Sequence, residues 1–119
     1  MRSIVLAALT VMAALPPAVV AGPVSGPDPA VIAGRNGDAG YYVFTTGKGV
    51  PMLHSKDLVE WKAMGRVFAE DIPEWAGNAI QGSRDVWAPD ISFHNGLYHL
   101  YYAVSTFGSQ RSVIGLAVN

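Results

Sequence analysis

The chain has 119 residues, a formal net charge of −1 and no cysteine. Half of its residues are hydrophobic and 14% are charged, which amounts to one domain at most and leaves no basic stripe for a nucleic-acid surface. Without cysteine no disulfide can substitute for a packed core.

Part of the apolar content sits at the front. Arg2 precedes a run of apolar and small residues over 4–15 that contains one threonine, Thr10. Pro16-Pro17 ends the run, and Ala18-Val19-Val20-Ala21 supplies small residues for cleavage. This is the layout of a secretory signal peptide over residues 1–21, and it is too short to span a bilayer. Cleavage after Ala21 removes Arg2 and takes the formal charge from −1 to −2. The expected product, residues 22–119, is secreted or periplasmic and has no membrane contact after cleavage.

Residues 22–29 are rich in Gly and Pro and read as an extended lead-in. Strands are expected over 30–33, 41–46, 50–55 and 61–68, separated by Arg35-Asn36-Gly37-Asp38, Gly47-Lys48-Gly49 and Ser55-Lys56-Asp57-Leu58. The basis is aromatic and β-branched enrichment between turn residues. Residues 69–86 lack clear periodicity and read as a long loop with a helical turn over 70–75. Loops of that length in compact domains are often functional. Strands return over 90–94, 97–105 and 112–118, and Asn95-Gly96 is a hairpin turn. The fold class is therefore all-β.

The two halves echo one another. Pro27-Asp28-Pro29, then Asn36-Gly37, then Tyr41-Tyr42-Val43-Phe44 parallels Pro89-Asp90-Ile91, then Asn95-Gly96, then Tyr98 onward. Such a repeat suits blades of a β-propeller. It places Asp28 and Asp90 at the heads of first strands, facing one channel. A propeller needs at least four blades, and the chain supplies about two, so it reads as the front of something longer.

The block from Trp87 onward, WAPDI then NGLYHLYYAVSTFGSQRSVIGLA, together with DPAVI, YYVF-TTG and SKDLVEW, resembles glycoside hydrolase family 43, and within it the endo-acting α-1,5-L-arabinanases. The resemblance covers roughly residues 28–119. It implies a five-bladed β-propeller that hydrolyses arabinan with inversion. It implies that Asp28 is the general base, and that Trp87, Phe107 and the backbone around Gly108 line the sugar cleft. Asp90 is implied to be a structural carboxylate near that cleft.

Two departures qualify the match. Pro27 stands where the family has His, and proline fixes φ and removes an N–H. The family's general acid, a Glu in a later blade, and the Asp of an N-A-I-D segment that tunes it have no counterpart up to Asn119. The chain alone is therefore expected to be inactive. No cofactor is implied for these residues. Calcium on the axis of a full-length propeller would draw its His ligand from a later blade. The implied partner is a polysaccharide, arabinan or a related pentose polymer such as arabinoxylan or xylan. Endo- against exo-action depends on loops at the cleft ends.

Each candidate also has a plainer reading. Asp28 beside proline is ordinary turn chemistry, Trp87 fits a core, and Gly108 fits a turn. Trp61 and Trp75 read as packing or loop anchors. His54, His94 and His99 have no ligand spacing. Glu70, Asp71 and Glu74 do not follow a calcium loop and read as a solvated face. The alternative to an enzyme is a non-catalytic carbohydrate-binding or structural β-module. A chain that ended at Asn119 would expose strand edges and aggregate.

Overall fold

The computed structural model describes residues 26–35 and 37–119 and the backbone of 19–21. Most of the expected leader, the start of the lead-in and Asn36 of the first turn lie outside the described residues.

Two antiparallel sheets form an all-β fold. The first contains β1 (Val19–Ala21), β2 (Ala30–Ala33), β3 (Tyr41–Phe44), β4 (Pro51–Ser55) and β5 (Glu60–Arg66), in the order β1-β5-β4-β3-β2. The second contains β6 (Val86–His94), β7 (Leu97–Ser105) and β8 (Ser112–Val118), in that order. Each sheet is a meander of consecutive strands, which short turns permit. The β1 strand adds an outer edge by pairing with β5 through Val20 and Trp61. It consists of the last three residues of the expected leader.

The expected strands appear with small shifts at their ends. The Asn95-Gly96 turn forms as expected, with φ of 51° and 81°, the left-handed pair that matches the twist of a two-residue hairpin. The second sheet begins earlier than expected, at Val86 rather than Asp90. Trp87 pairs with Ala103 and Asp90 with Tyr101, so β6 carries one extra residue opposite Tyr102. This is a β-bulge at Ala88-Pro89, a place where a strand tolerates proline.

The helical turn forms at α1 (Glu74–Ala79), not over residues 70–75. Pro73 explains the shift. Its ring is acceptable ahead of a helix and not inside one, and its carbonyl accepts the N–H of Ala76 and of Gly77. The segment read as a loop thereby reaches the core through Ala76 and Ile80.

The core lies between the sheets. Phe44 and Val50 from the first half meet Val86, Leu100, Tyr102 and Val104 from the second. Alternation along β7 sets the faces: Leu100, Tyr102 and Val104 are buried, while Tyr101 is exposed. On β8, Ile114, Leu116 and Val118 are exposed and share the outer face with Tyr101 through the β7–β8 register. Trp61 is buried and Trp75 half-exposed, with Trp75 6.4 Å from the Tyr102 ring.

The internal echo survives in part. Asp28 precedes β2, whereas Asp90 sits within β6, opposite Tyr101. The two carboxylates are not at equivalent positions. The bulge is the physical reason, since it begins pairing ahead of Pro89.

The acidic cluster is not merely solvated. Asp71 binds Lys48 at 2.7 Å and Arg66 at 2.8 Å. Those bonds, Lys48 first, hold its carboxyl below the usual range.

Candidate functional site

The site forms where the two sheets meet. After β3 the chain turns at Thr46-Gly47. Gly47 forms a bridge with Val86, which seats the end of β3 against the start of β6. The bulge then aims the Ala88 N–H back across this seam. It donates to the Thr46 hydroxyl at 2.7 Å.

Thr46 in turn holds Asp28. Its hydroxyl donates to Asp28 Oδ2 at 2.7 Å, and its backbone N–H donates to the Pro27 carbonyl at 3.0 Å. Asp28 is exposed and has φ of 52°, a left-handed conformation that Asp and Asn tolerate better than most residues. Pro27 thus takes part in anchoring through its carbonyl.

Trp87 lies beside Ala88 on β6. Its ring stacks on Phe107, with centroids 6.1 Å apart and planes at 21°. Phe107 is 87% exposed. It sits in a turn closed by the Ser109 N–H donating to the Thr106 carbonyl, with Gly108 at φ 77°. That positive φ favours glycine, and a Cβ there would meet no neighbour within 4 Å. Gly108 is required by the turn rather than by crowding. The Thr106 hydroxyl donates to the Gln81 carbonyl at 3.2 Å, so the segment after α1 helps to fix the turn that carries Phe107.

The indole Nε1 of Trp87 is enclosed and has no hydrogen-bond partner among the described residues. An unmade buried donor costs on the order of 1–3 kcal/mol.

The predicted residues therefore fall into two linked groups. Asp28 is joined through Thr46 to the backbone of β6, and Trp87 on that strand pairs with Phe107 and its Gly108 turn. Asp90 pairs across to Tyr101 as Trp87 does to Ala103, and alternation in the β6–β7 register puts both on the sheet face away from the core. A polar cleft of about 310 Å³, lined by Asn78, Gln81, Thr106, Ser109 and Arg111, borders the Phe107 turn. A larger cavity of about 600 Å³ is lined by Phe44, Met52, Phe68, Ile91 and Leu100. It extends the apolar core and includes none of the predicted site residues.

Thr46 and the Ala88 bulge escaped the sequence reading. Thr46 reads as the end of a strand, and Ala88-Pro89 reads as irregular chain before a strand. The available clue was Pro89 inside an otherwise strand-like run, which points to a bulge. Among the described residues no three His, Asp or Glu side chains gather as a metal ion needs.

Comparison with known proteins gives one consistent result. The family model for glycosyl hydrolases family 43 matches residues 19–119. The chain is 46% identical over 87 residues to an extracellular exo-α-(1→5)-L-arabinofuranosidase of Cellvibrio japonicus, covering 71% of this chain and 24% of that protein. It is 40% identical over 93 residues to arabinan endo-1,5-α-L-arabinosidase A of Aspergillus niger, covering 77% of this chain and 27% of that protein. Among solved structures it resembles the Cellvibrio cellulosa α-L-arabinanase complexed with arabinohexaose, with a TM-score of 0.72 and 43% identity over 81% of this chain and 30% of that one. The chain spans about a quarter of the length of the curated relatives it matches.

Proposed function

The chain belongs to glycosyl hydrolase family 43, and from that premise we propose that residues 22–119 form the first two blades or so of an exported five-bladed β-propeller that hydrolyses α-1,5-linked arabinan with inversion. Residues 1–21 are its secretory signal. One observation carries this reading. An exposed carboxylate, Asp28, is tethered through Thr46 to the strand that bears Trp87, whose ring stacks on the exposed Phe107. The relatives' names speak of arabinan or arabinofuranosides.

The chemistry follows from the residue types. Asp28 takes a proton from a water whose oxygen attacks the anomeric carbon. The glycosidic C–O bond breaks on the opposite face, and a carboxylic acid protonates the leaving oxygen. The hydrogen bond from Thr46 fixes the orientation of the Asp28 carboxylate that this role needs. Trp87 and Phe107 offer an aromatic platform to the apolar C–H face of a sugar ring, with the Gly108 turn at its edge. The acid and the residue that tunes it come from outside residues 22–119.

The test is reducing-sugar release from arabinan. The product of the whole reading frame hydrolyses it, Asp28→Asn does not, and the isolated 119-residue chain does not. Hydrolysis by the isolated chain that disappears in Asp28→Ala would overturn the reading.

A second reading is a non-catalytic carbohydrate-binding module, and the 87% exposure of Phe107 favours it. A whole-frame product that binds arabino-oligosaccharides without cleaving them would establish that reading instead.

A further inference from the structure

We infer that Thr46 is the positioning residue for Asp28, and that it couples the orientation of that carboxylate to the docking of the second sheet. The inference rests on the reading of Asp28 as the general base.

A threonine hydroxyl has one donor and two acceptor positions. Here the Ala88 N–H occupies an acceptor position at 2.7 Å. An amide N–H can only donate, so the hydroxyl proton stays free for another acceptor. The hydroxyl proton points at Asp28 Oδ2, also at 2.7 Å. One hydroxyl thereby accepts from the peptide of β6 and donates to the carboxylate of the base.

The backbone supports the same conclusion. Asp28 at φ 52° and Ala88 at φ 44° are both left-handed non-glycine residues. Such conformations persist where the surroundings over-determine them, and these two flank one hydroxyl. The Thr46 N–H adds a third tie, to the Pro27 carbonyl. One residue therefore clamps Asp28 from both its backbone and its side chain. It does so from the Ala88 bulge, next to Trp87, so the base and the sugar platform share a single reference point.

A base must sit within hydrogen-bond reach of the water it deprotonates, and misplacement by about 1 Å can cost on the order of 100-fold. Thr46→Val removes the hydroxyl, frees Asp28 to rotate and strips the Ala88 N–H of its acceptor. Thr46→Ser keeps both bonds.

The test compares these variants in the product of the whole reading frame, with arabinan as substrate and Asp28→Asn alongside. The expected result is a fall in kcat of about 10- to 100-fold for Thr46→Val with KM within about twofold, and recovery to within about threefold by Thr46→Ser. Should Thr46→Val lose its cooperative melting transition, Thr46→Ala takes its place, since it removes the same hydroxyl. Retention of kcat within twofold without the hydroxyl, while Asp28→Asn is inactive, overturns the role of Thr46 and leaves Asp28 standing. Activity in Asp28→Asn overturns the base assignment, and the role of Thr46 falls with it.

Discussion

The indole of Trp87 and the ring of Phe107 stack at 6.1 Å although one projects from the start of β6 and the other from the turn after β7. Trp87 is half-buried, while Phe107 is almost wholly exposed. The inner ring serves as a floor and the outer ring as the accessible face. On the proposed reading of these rings as a sugar platform, their stacking leaves little side-chain ordering to oppose binding.

Phe107→Ala should therefore weaken arabinohexaose binding about tenfold, in line with roughly 1 kcal/mol for an aromatic contact. Its stability should stay within about 0.5 kcal/mol of the parent, as for other exposed sites. Titration calorimetry on the whole-frame product carrying Asp28→Asn measures binding without turnover. Gly108→Ala should weaken binding by a different route, since alanine resists the φ of 77° that aims the turn. Its melting temperature should fall as well.

Asp28 offers a check on its backbone. Asparagine tolerates the left-handed region better than alanine does. Asp28→Asn should be more stable than Asp28→Ala by roughly 1 kcal/mol, with both devoid of hydrolysis. Urea unfolding of the paired variants reads the difference.

The pairing of Asp71 predicts an acid-side effect. Lys48 and Arg66 stabilise its ionised form and lower its folded pKa below the ordinary carboxylate value. At pH above that ordinary value the contribution is fully present. As pH falls through it towards the folded pKa, the unfolded chain binds more protons and the contribution is lost. Asp57 acts in the same direction, because the N–H groups of Glu60 and Val59 donate to its carboxylate. Melting temperature should thus drop more steeply below about pH 4 in the parent than in Asp71→Asn. Because Asp71 is exposed, molar salt should shrink the difference.

The core makes a further prediction. Leu100 is 4% exposed, and Leu100→Ala should cost about 2–5 kcal/mol. Gly115 lies against the Tyr102 ring, where a Cβ would collide. Gly115→Ala should cost about 1–3 kcal/mol by overpacking. Denaturant titration of each separates the two effects from a surface substitution.

The outer face of the second sheet predicts self-association. Tyr101, Ile114, Leu116 and Val118 present an exposed apolar patch beside the β8 edge, an arrangement that invites pairing with another chain. Light scattering should show association of the isolated chain, and Leu116→Lys should reduce it. A monodisperse monomer would count against this expectation.

Much of this architecture was legible because it is local. Alternation and turn chemistry located seven strands and the Asn95-Gly96 hairpin. The tight turns also set the order of the meanders. Trp87 and Phe107 were singled out by the family resemblance of the WAPDI and STFGS blocks. What escaped depends on contacts distant in sequence. The β6 bulge is visible only once β7 is paired to it. The helix over Glu74–Ala79 is fixed by burial of Ala76 and Ile80, which no short window reveals. Thr46 shows no sign of its role until Ala88 lies opposite it. Asp90 matched Asp28 in its neighbours but not in its place along a strand.

The seam at Gly47 and Val86 also sets an order of events. Each meander closes through short-range turns, which form quickly. The tether from Ala88 through Thr46 to Asp28 joins groups far apart in the chain and can form only after both meanders exist. The Thr46–Asp28 bond lies within the first half of the chain, whereas its anchor at Ala88 is lost when the sheets part. On the proposed reading, core substitutions at Val86 or Val104 in the whole-frame product should reduce turnover before strand content falls, as activity and circular dichroism measured together would show.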